Sequence, residues 1–330
     1  MMEKLIQGFP AQLKEGLDNG REITLKTFTH DVKTVLITGM GGSGIGGDYT
    51  SLFAGEDGAV PVIVNKGYDI PSWVNKNTLA LVSSYSGNTE ETVNALNRLL
   101  RTDARIICIA SGGKIKETAR VNDLDFVQLP EGIPSPRACL GYSITAQLAV
   151  LNKAGLMGKQ IAEQLRISAD LIKFEQEEIR SKAERIAQSI VGKTVILYGT
   201  DKTEPVLLRW RQQFNENSKM LCWHHTIPEM NHNEIVGWHE RNENFAVIFL
   251  RNKDDYKRNA VRMDFVKQAV SQFTPTIIEV YAKGQSIPER LIYLTHLGDW
   301  VSWYIARLKG VDASEIKVID RLKDLLSGQE

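Results

Sequence analysis

Residues 79–92 read LALVSSYSGNTEET, an apolar run followed by a hydroxyl-rich loop and two acids. The run at 79–82 has the length and composition of a buried strand. Apolar residues then recur at helical spacing at Val93, Leu96 and Leu100. The stretch therefore predicts a strand, a loop and a helix in that order.

The loop itself allows two interpretations. Asn88 and Glu91 have the spacing of a capping box, which predicts that the helix starts there. A helix N-terminus presents unpaired N–H groups, and Ser84, Ser86 and Thr89 add hydroxyl donors. Because the loop has no Walker lysine and no metal-chelating pair, it suits the phosphomonoester of a small molecule. The alternative is that these residues only cap the helix.

Composition limits the classes of protein and partner. A chain of 330 residues suits two α/β domains of ordinary size. Forty Lys and Arg balance forty Asp and Glu, which gives no support to a nucleic-acid or anionic-membrane partner. The three cysteines, Cys108, Cys139 and Cys222, lack metal-ligand spacing and are typical of a reducing cytoplasm.

The N-terminal stretch carries apolar residues at helical intervals from Ile6 to Leu17. It predicts one amphipathic helix and not a signal peptide. No apolar run approaches the length of a membrane span.

Strand-like and helix-like stretches alternate along the chain, which predicts parallel sheets covered on both faces. The predicted strands are 35–38, 60–65, 79–83, 106–110 and 126–129 in the first half, and 194–198, 220–223, 245–250 and 276–281 in the second. A charged helical stretch, 159–189, joins the halves, and a long aromatic helix follows at 288–309. The predicted fold class is α/β, with two doubly wound three-layer αβα domains.

Residues 39–48, GMGGSGIGGD, follow the first strand and contain the dinucleotide-binding glycine pattern twice. A dinucleotide site also needs an acid at the end of the next strand to hold the ribose hydroxyls. That strand ends in Asn65 and Lys66 instead. The sequence therefore disfavours an NAD-dependent dehydrogenase.

The same glycines still allow a ligand to approach the backbone closely. Gly41 and Gly42 present no side chain, and Ser43 would face the same crevice as Ser84 and Ser86. The alternative is that the glycines only permit tight packing of a strand against a helix.

Four further residues have both a functional and an ordinary interpretation. In the ordinary interpretation, Glu216 lies on the exposed face of a helix and Lys323 lies on a solvated terminal helix. His232 lies among other histidines and acids, but their spacings match no usual zinc site. Arg137 could simply start a helix, although a cation there is unfavourable and favours an anionic partner.

The first half resembles a sugar isomerase domain. The resemblance lies in the glycine loop, in SYSGNTEET and in the PSPRA segment around Arg137. The whole chain resembles the bifunctional phosphoglucose/phosphomannose isomerase family, in which two such domains are joined. QFNENSK, IPEMNHNE and IDRLK, in that order, carry the more specific part of the resemblance. It implies domains at 1–155, with the N-terminal helix, and 156–330, with the linker helix and a C-terminal catalytic helix.

The resemblance assigns a role to each segment. Glu216 matches the base that moves the proton, and His232 matches the histidine that opens the sugar ring from the partner subunit of a homodimer. Lys323 matches a lysine that assists ring opening, and Arg137 matches the arginine that faces the enediolate. Phosphate binding carries over to Ser43, Ser84, Ser86 and Thr89, beside the loop backbone at Gly41 and Gly42.

The implied enzyme is cytoplasmic, works without metal or other cofactor, and interconverts glucose 6-phosphate and fructose 6-phosphate through an enediol. Mannose 6-phosphate is the implied second substrate. In archaeal members of the family a threonine just before the final helix is linked to mannose use. This sequence has Ile316 at that position, with Ser314 two residues earlier. The rivals are a non-catalytic sugar-phosphate sensor and an NAD-dependent dehydrogenase; such sensors usually add a DNA-binding domain, for which this chain has no basic module.

Overall fold

The computed structural model describes residues 1–327, and the chain divides into two compact units. The first unit contains Gln7–Lys173 and Gln285–Glu289, and the second contains Met1–Ile6, Phe174–Gly284 and the chain from Arg290 onward. Residues 328–330, which end the predicted second domain, lie outside the described residues.

The N-terminal stretch forms two helices where the sequence predicted one. These are α1 (Met2–Gln7) and α2 (Phe9–Arg21), separated by Gly8. Pro10 falls in the first turn of α2, the one place in a helix where the missing N–H of proline costs nothing. Glycine and proline together therefore interrupt a single helix.

The first unit is built on a five-stranded parallel sheet with the order β2-β1-β3-β4-β5. Its strands are β1 (Thr34–Thr38), β2 (Val62–Asn65), β3 (Thr78–Ser83), β4 (Arg105–Ala110) and β5 (Asp125–Gln128). Every residue of β3 is buried, as expected for a central strand covered on both faces. The parallel α/β fold that the sequence predicted is confirmed.

Helices cover both faces of this sheet. They are α3 (Gly41–Asp57), α4 (Glu90–Leu99), α5 (Gly113–Val121) and α6 (Leu140–Lys153). A further helix, α7 (Gln160–Phe174), follows α6 along the chain. On one face, Leu96 of α4 and Ile115 of α5 join a buried cluster with Leu36, Ala80 and Cys108 of the strands.

Helix α6 is the centre of the other face. A Cβ atom on Gly16 of α2 would lie 2.2 Å from Oγ1 of Thr145, and one on Gly46 of α3 would lie 2.2 Å from Oγ of Ser143. Both helices therefore approach α6 at distances that only glycine permits.

The charged linker is two helices, where the sequence predicted one stretch. α7 ends at Phe174 and α8 (Gln176–Ile190) begins after Glu175, whose carboxylate accepts a hydrogen bond from Nζ of Lys283 at 2.7 Å. The predicted apolar stripe is confirmed, since Leu165 of α7 and Ile179 of α8 are fully buried.

The second unit contains a four-stranded parallel sheet with the order β7-β6-β8-β9. Its strands are β6 (Thr194–Thr200), β7 (Cys222–Ile227), β8 (Phe245–Arg251) and β9 (Thr276–Tyr281). The predicted strand at 220–223 is present, but it begins at Cys222 and extends to Ile227. Lys219 adopts a left-handed conformation with φ 52°, and the N–H of Met220 bonds to the carbonyl of Phe214 at 3.3 Å, so these residues finish the preceding helix.

Four helices follow α8 in this half of the chain: α9 (Glu204–Glu216), α10 (Lys257–Val270), α11 (Ile287–Lys309) and α12 (Lys317–Ser327). Side chains alternate along β6, and a Cβ on Gly199 would meet Leu207 of α9 at 3.2 Å. The neighbouring Tyr198 faces the other way and packs in a cluster with Met263 of α10. Helices α9 and α10 therefore cover opposite faces of the sheet.

The aromatic part of α11 lies in the core. Trp300 and Tyr304 are buried, and Nε1 of Trp210 in α9 donates to the carbonyl of Leu294 at 2.9 Å. A Cβ on Gly298 would lie 2.1 Å from that same Nε1. Among the described residues, no helix is both long enough and apolar enough to cross a membrane.

Gly298→Ala should lower the free energy of unfolding by about 1–3 kcal/mol, because the new methyl group overlaps the Trp210 ring. Urea titration measures the change. Gly55→Ala, in a helix with open space around the new Cβ, is the control and should raise the stability by up to about 1 kcal/mol. Equal effects at the two positions would contradict this packing.

Candidate functional site

The loops after β1 and β3 emerge side by side at the carboxyl edge of the first sheet. The strands are neighbours, and the chain order reverses between them, which makes this the topological switch point where doubly wound folds bind ligands. Helix α3 begins at Gly41 directly after β1, and α4 begins at Glu90 after β3. Two helix N-termini therefore face one crevice, an arrangement that favours an anion.

Glycines let three backbone segments meet at this crevice. A Cβ on Gly39 would lie 2.6 Å from the carbonyl oxygen of Ser83, and one on Gly42 would lie 3.0 Å from that of Pro136. Gly41, exposed and with φ 48°, opens the first turn of α3. The glycine loop thus packs the loop after β3 and the turn that carries Arg137 against the start of α3.

The predicted phosphate-binding hydroxyls come together here. Oγ of Ser43 accepts the N–H of Tyr85 at 3.1 Å, and Oγ of Ser84 lies 2.9 Å from Oγ1 of Thr89. Ser43 and Ser84 are buried, Thr89 is half-buried and Ser86 is exposed. Oγ of Ser86 accepts the N–H of Asn88 at 3.2 Å, so hydrogen bonds connect all four hydroxyl groups to the loop after β3.

The predicted capping box was wrong. Thr89, not Asn88, is the N-cap of α4, and no side chain caps it. Oδ1 of Asn88 accepts the N–H of Lys114 at 2.9 Å instead, in the first turn of α5. Gly87, with φ 69°, brings the loop against Gly112 and makes this contact possible. Asn88 thus fixes the loop to its neighbour in the sheet.

Gln147 holds the crevice from beneath, and no sequence pattern pointed to it. This fully buried side chain of α6 donates to the carbonyl of Ser43 at 3.2 Å and to Oγ of Ser83 at 3.1 Å. Its own oxygen accepts from Oγ1 of Thr50 at 2.9 Å. One amide therefore connects α3, the end of β3 and α6.

Tyr85 is a second residue that sequence reasoning missed. Its hydroxyl donates to the carbonyl of Pro130 at 2.9 Å and accepts the N–H of Ile133 at 3.0 Å. Burial raises the pKa of this phenol to about 12, so it stays a donor at neutral pH. These bonds anchor the loop that leads to Arg137, which is 7 % exposed. Oγ of Ser135, beside it, is buried and has no partner among the described residues.

The switch point of the second unit has different chemistry. There β6 and β8 are neighbours, and the carboxylate of Asp255 accepts the N–H of Asn252 at 2.9 Å and Oγ1 of Thr200 at 3.3 Å. Burial raises the pKa of Asp255. A carboxylate at this place repels phosphate, so the hydroxyl crevice of the first unit has no counterpart at this described switch point.

Glu216 is the last residue of α9, and buried neighbours fix its position. Nδ2 of Asn217 donates to Oγ of Ser302 at 2.9 Å, and Oγ of Ser218 donates to the carbonyl of Ser302 at 2.8 Å. The ammonium of Lys219 donates to the carbonyl of Glu216. These bonds anchor the backbone at Glu216, whose side chain is half-buried.

His232 lies on the opposite side of the second sheet from Glu216. It is exposed and ends a short 3-10 turn, Glu229–His232. Met230 of this turn is fully buried in the cluster on the α10 face, with Tyr198, whereas α9 covers the other face. Within one chain the sheet therefore separates these two predicted site residues.

The remaining predictions concern Lys323 and metal binding. Lys323 lies on α12, is 67 % exposed and is 3.6 Å from Oδ1 of Asp320. The histidines form no metal site: among residues 1–327, no three His, Cys, Asp or Glu side chains are placed to hold an ion. Burial lowers the pKa of His224 to about 4, which is typical of a neutral ring enclosed beside a helix.

Two protein families match the chain. Residues 29–157 match the SIS domain, and residues 179–326 match the bacterial phospho-glucose isomerase C-terminal SIS domain.

Similar proteins are known over nearly the full length. The chain is 37 % identical to a bifunctional phosphoglucose/phosphomannose isomerase of Caldicellulosiruptor bescii, over 99 % of each chain. It is 32 % identical to one of Aquifex aeolicus, over 98 % of this chain and 97 % of that protein. In fold, it is similar to the C-terminal domain of glucosamine-fructose-6-phosphate aminotransferase from Francisella tularensis, with TM-score 0.77, 16 % identity and coverage of 94 % and 96 %.

Gln147→Leu should lower the free energy of unfolding by about 3 kcal/mol, because it leaves several buried polar groups without partners. The affinity for inorganic phosphate, measured by calorimetry, should fall about tenfold as the crevice loosens. Asn217→Leu is the matched control, since Asn217 is a fully buried amide of the second unit that bonds to Ser302. It should destabilise the protein and leave phosphate affinity unchanged; the same loss of affinity in both variants would contradict the role of Gln147.

Gly87→Ala should lower the free energy of unfolding by about 3 kcal/mol or more. The new Cβ would lie 1.8 Å from the carbonyl oxygen of Gly112, and the backbone has a left-handed φ. Gly155→Ala carries a similar φ of 73° with open space and should cost only about 1 kcal/mol. Thermal unfolding compares the two. Equal losses would show that the contact between the two loops contributes nothing.

Proposed function

Since the chain belongs to the bifunctional phosphoglucose/phosphomannose isomerase family, we propose that it interconverts glucose 6-phosphate and fructose 6-phosphate, with mannose 6-phosphate as a second substrate. The observation that carries the proposal is the hydroxyl crevice at the switch point of the first sheet. We further propose that the enzyme acts in the cytoplasm as a homodimer.

The crevice binds the phosphate group of the substrate. Ser43, Ser84, Ser86 and Thr89 supply hydroxyl donors, and the first turns of α3 and α4 supply N–H groups. Phosphate lies far from the reacting carbons, so its binding energy serves to position them and lowers the entropic part of the barrier. The rigid hydrogen bonds beneath the crevice favour this function.

Glu216 is the base that moves a proton between C1 and C2. A single carboxylate can remove the proton from one carbon and return it to the next, so one residue serves both transfers. Such a group must be held still, and the bonds of Asn217 and Ser218 to Ser302 support this role.

Arg137 stabilises the enediolate that forms between the two proton transfers. Its guanidinium remains charged at all working pH values and can bind an oxyanion in two places. It is buried in the turn that packs on Gly42, beside the start of α3. Lys323 of the terminal helix assists ring opening, so no metal or redox cofactor is needed.

His232 opens the sugar ring in the site of a partner subunit. A histidine exchanges protons near neutral pH and can therefore protonate the ring oxygen. Within one chain, the sheet lies between His232 and Glu216, and a two-fold dimer offers each Glu216 the His232 of the second copy. This arrangement supports the homodimer.

An assay of the purified protein tests the function directly. Formation of glucose 6-phosphate from fructose 6-phosphate, followed with a coupling dehydrogenase, should be readily measurable and should survive treatment with a chelator. Mannose 6-phosphate should also be converted. The rate will show how well the enzyme uses this substrate with Ile316, and not threonine, before the final helix. A protein that binds fructose 6-phosphate without turnover would be a sensor, and one protected from heat by NAD alone would be a dehydrogenase.

Glu216→Gln should lower kcat by about 10²–10⁴-fold with the affinity for fructose 6-phosphate nearly intact, because the amide cannot accept the proton. Steady-state kinetics and calorimetry give the two quantities. Glu204→Gln, at the exposed start of the same helix, is the control and should be fully active. Near-normal turnover of the Glu216 variant would remove it as the base.

A further inference from the structure

Glu234 ends the PEMNHNE segment, and three side chains bind its carboxylate. Oε1 accepts the hydroxyl of Tyr198 at 2.5 Å and Nε1 of Trp223 at 3.3 Å, and Oε2 lies 2.9 Å from Nδ1 of His225. Tyr198 and His225 are paired positions of the neighbouring strands β6 and β7. One carboxylate therefore fastens the segment to the face of the sheet.

Aromatic side chains extend this hydrogen-bond network and pack beside it. Nε1 of Trp238 donates to the Tyr198 hydroxyl at 2.9 Å. The rings of Trp223 and Trp238 each meet that of Phe245 edge-on, with centroids 5.8 Å apart. The Glu234 side chain is 27 % exposed, and hydrogen bonds in such a partly dry setting are stronger than on an open surface.

His232 lies midway between two anchors. Met230, two residues before it, is fully buried in the core cluster, and Glu234, two residues after it, carries the polar network. Between them, Oδ1 of Asn233 accepts the N–H of Glu234 at 2.6 Å, and Nδ2 of Asn233 donates to Oε1 of Glu229 at 3.0 Å. The backbone at His232 is thus held on both sides while its ring is exposed.

We propose that Glu234 is a positioning residue for the ring-opening step: it holds the exposed His232 in the one orientation that reaches the ring oxygen. This inference rests on the proposed function. An exposed imidazole on a short turn has many accessible orientations, and a displacement of about 1 Å can cost about 100-fold in rate. The network fixes the backbone from which the His232 ring extends, without touching the substrate.

A double-mutant cycle with His232 tests the inference. Glu234→Ala alone should lower turnover of fructose 6-phosphate about 10- to 100-fold, with KM little changed. In the His232→Ala background the same substitution should have almost no further effect, because the group through which it acts is gone. The rate at which the enzyme interconverts the anomers of glucose 6-phosphate, measured by exchange NMR, should fall in parallel.

Two more variants separate positioning from general stability. Glu234→Gln keeps an acceptor for Tyr198 and Trp223 and should restore most of the activity, which also guards against a Glu234→Ala variant that fails to fold. Glu243→Ala removes a carboxylate that is 70 % exposed on the same connection and bonded to Arg241, and should be fully active.

The outcomes are distinct. Equal losses from Glu234→Ala with and without His232, or undiminished interconversion of the anomers, would overturn the positioning role. A wild-type protein without isomerase turnover would overturn the proposed function, and this inference with it. An active wild type with a fully active Glu234→Ala variant would overturn this inference alone.

Discussion

The arrangement of the first unit around its crevice depends on the hydrogen bonds of the Gln147 side chain. It is fully buried and binds the Ser43 backbone, the Ser83 hydroxyl and the Thr50 hydroxyl. Buried polar groups are nearly always paired, so this amide favours one arrangement of the helix, the strand end and the glycine loop. Paired buried groups thus support the crevice, and a preorganised site loses less entropy when it binds a small anion.

The sequence predicted the strands well because buried parallel strands are short apolar runs, as at β3. It placed the hydroxyl loop correctly for the same reason, since the carboxyl end of a strand is visible in the pattern. It failed where tertiary contacts decide. Asn88 has the local spacing of a cap, but its side chain bonds to Lys114, 26 residues further along the chain. Gln147 was not predictable because nothing local distinguishes a buried glutamine in a helix from an exposed one.

The two sheets show how one strand order can carry different chemistry. Their first four strands follow the same order, yet Ser84 stands near one switch point and Asp255 at the other. Hydroxyls attract a phosphate and a carboxylate repels it, so only the first crevice suits the substrate anion. The proposed base and the proposed ring-opening histidine belong to the second unit instead. Their placement on opposite faces of a sheet could not be read from the sequence, where Glu216 and His232 are close together.

In the proposed mechanism, Glu216 and His232 act in one site only when they come from different copies of the chain. Mixing the two strongly impaired variants Glu216→Gln and His232→Ala, after dissociation and reassociation, tests it. Random pairing makes half of the dimers mixed, and each mixed dimer contains one intact site, so activity should recover to about a quarter of the wild-type value. A mixture that stays as inactive as its two components would contradict the shared site.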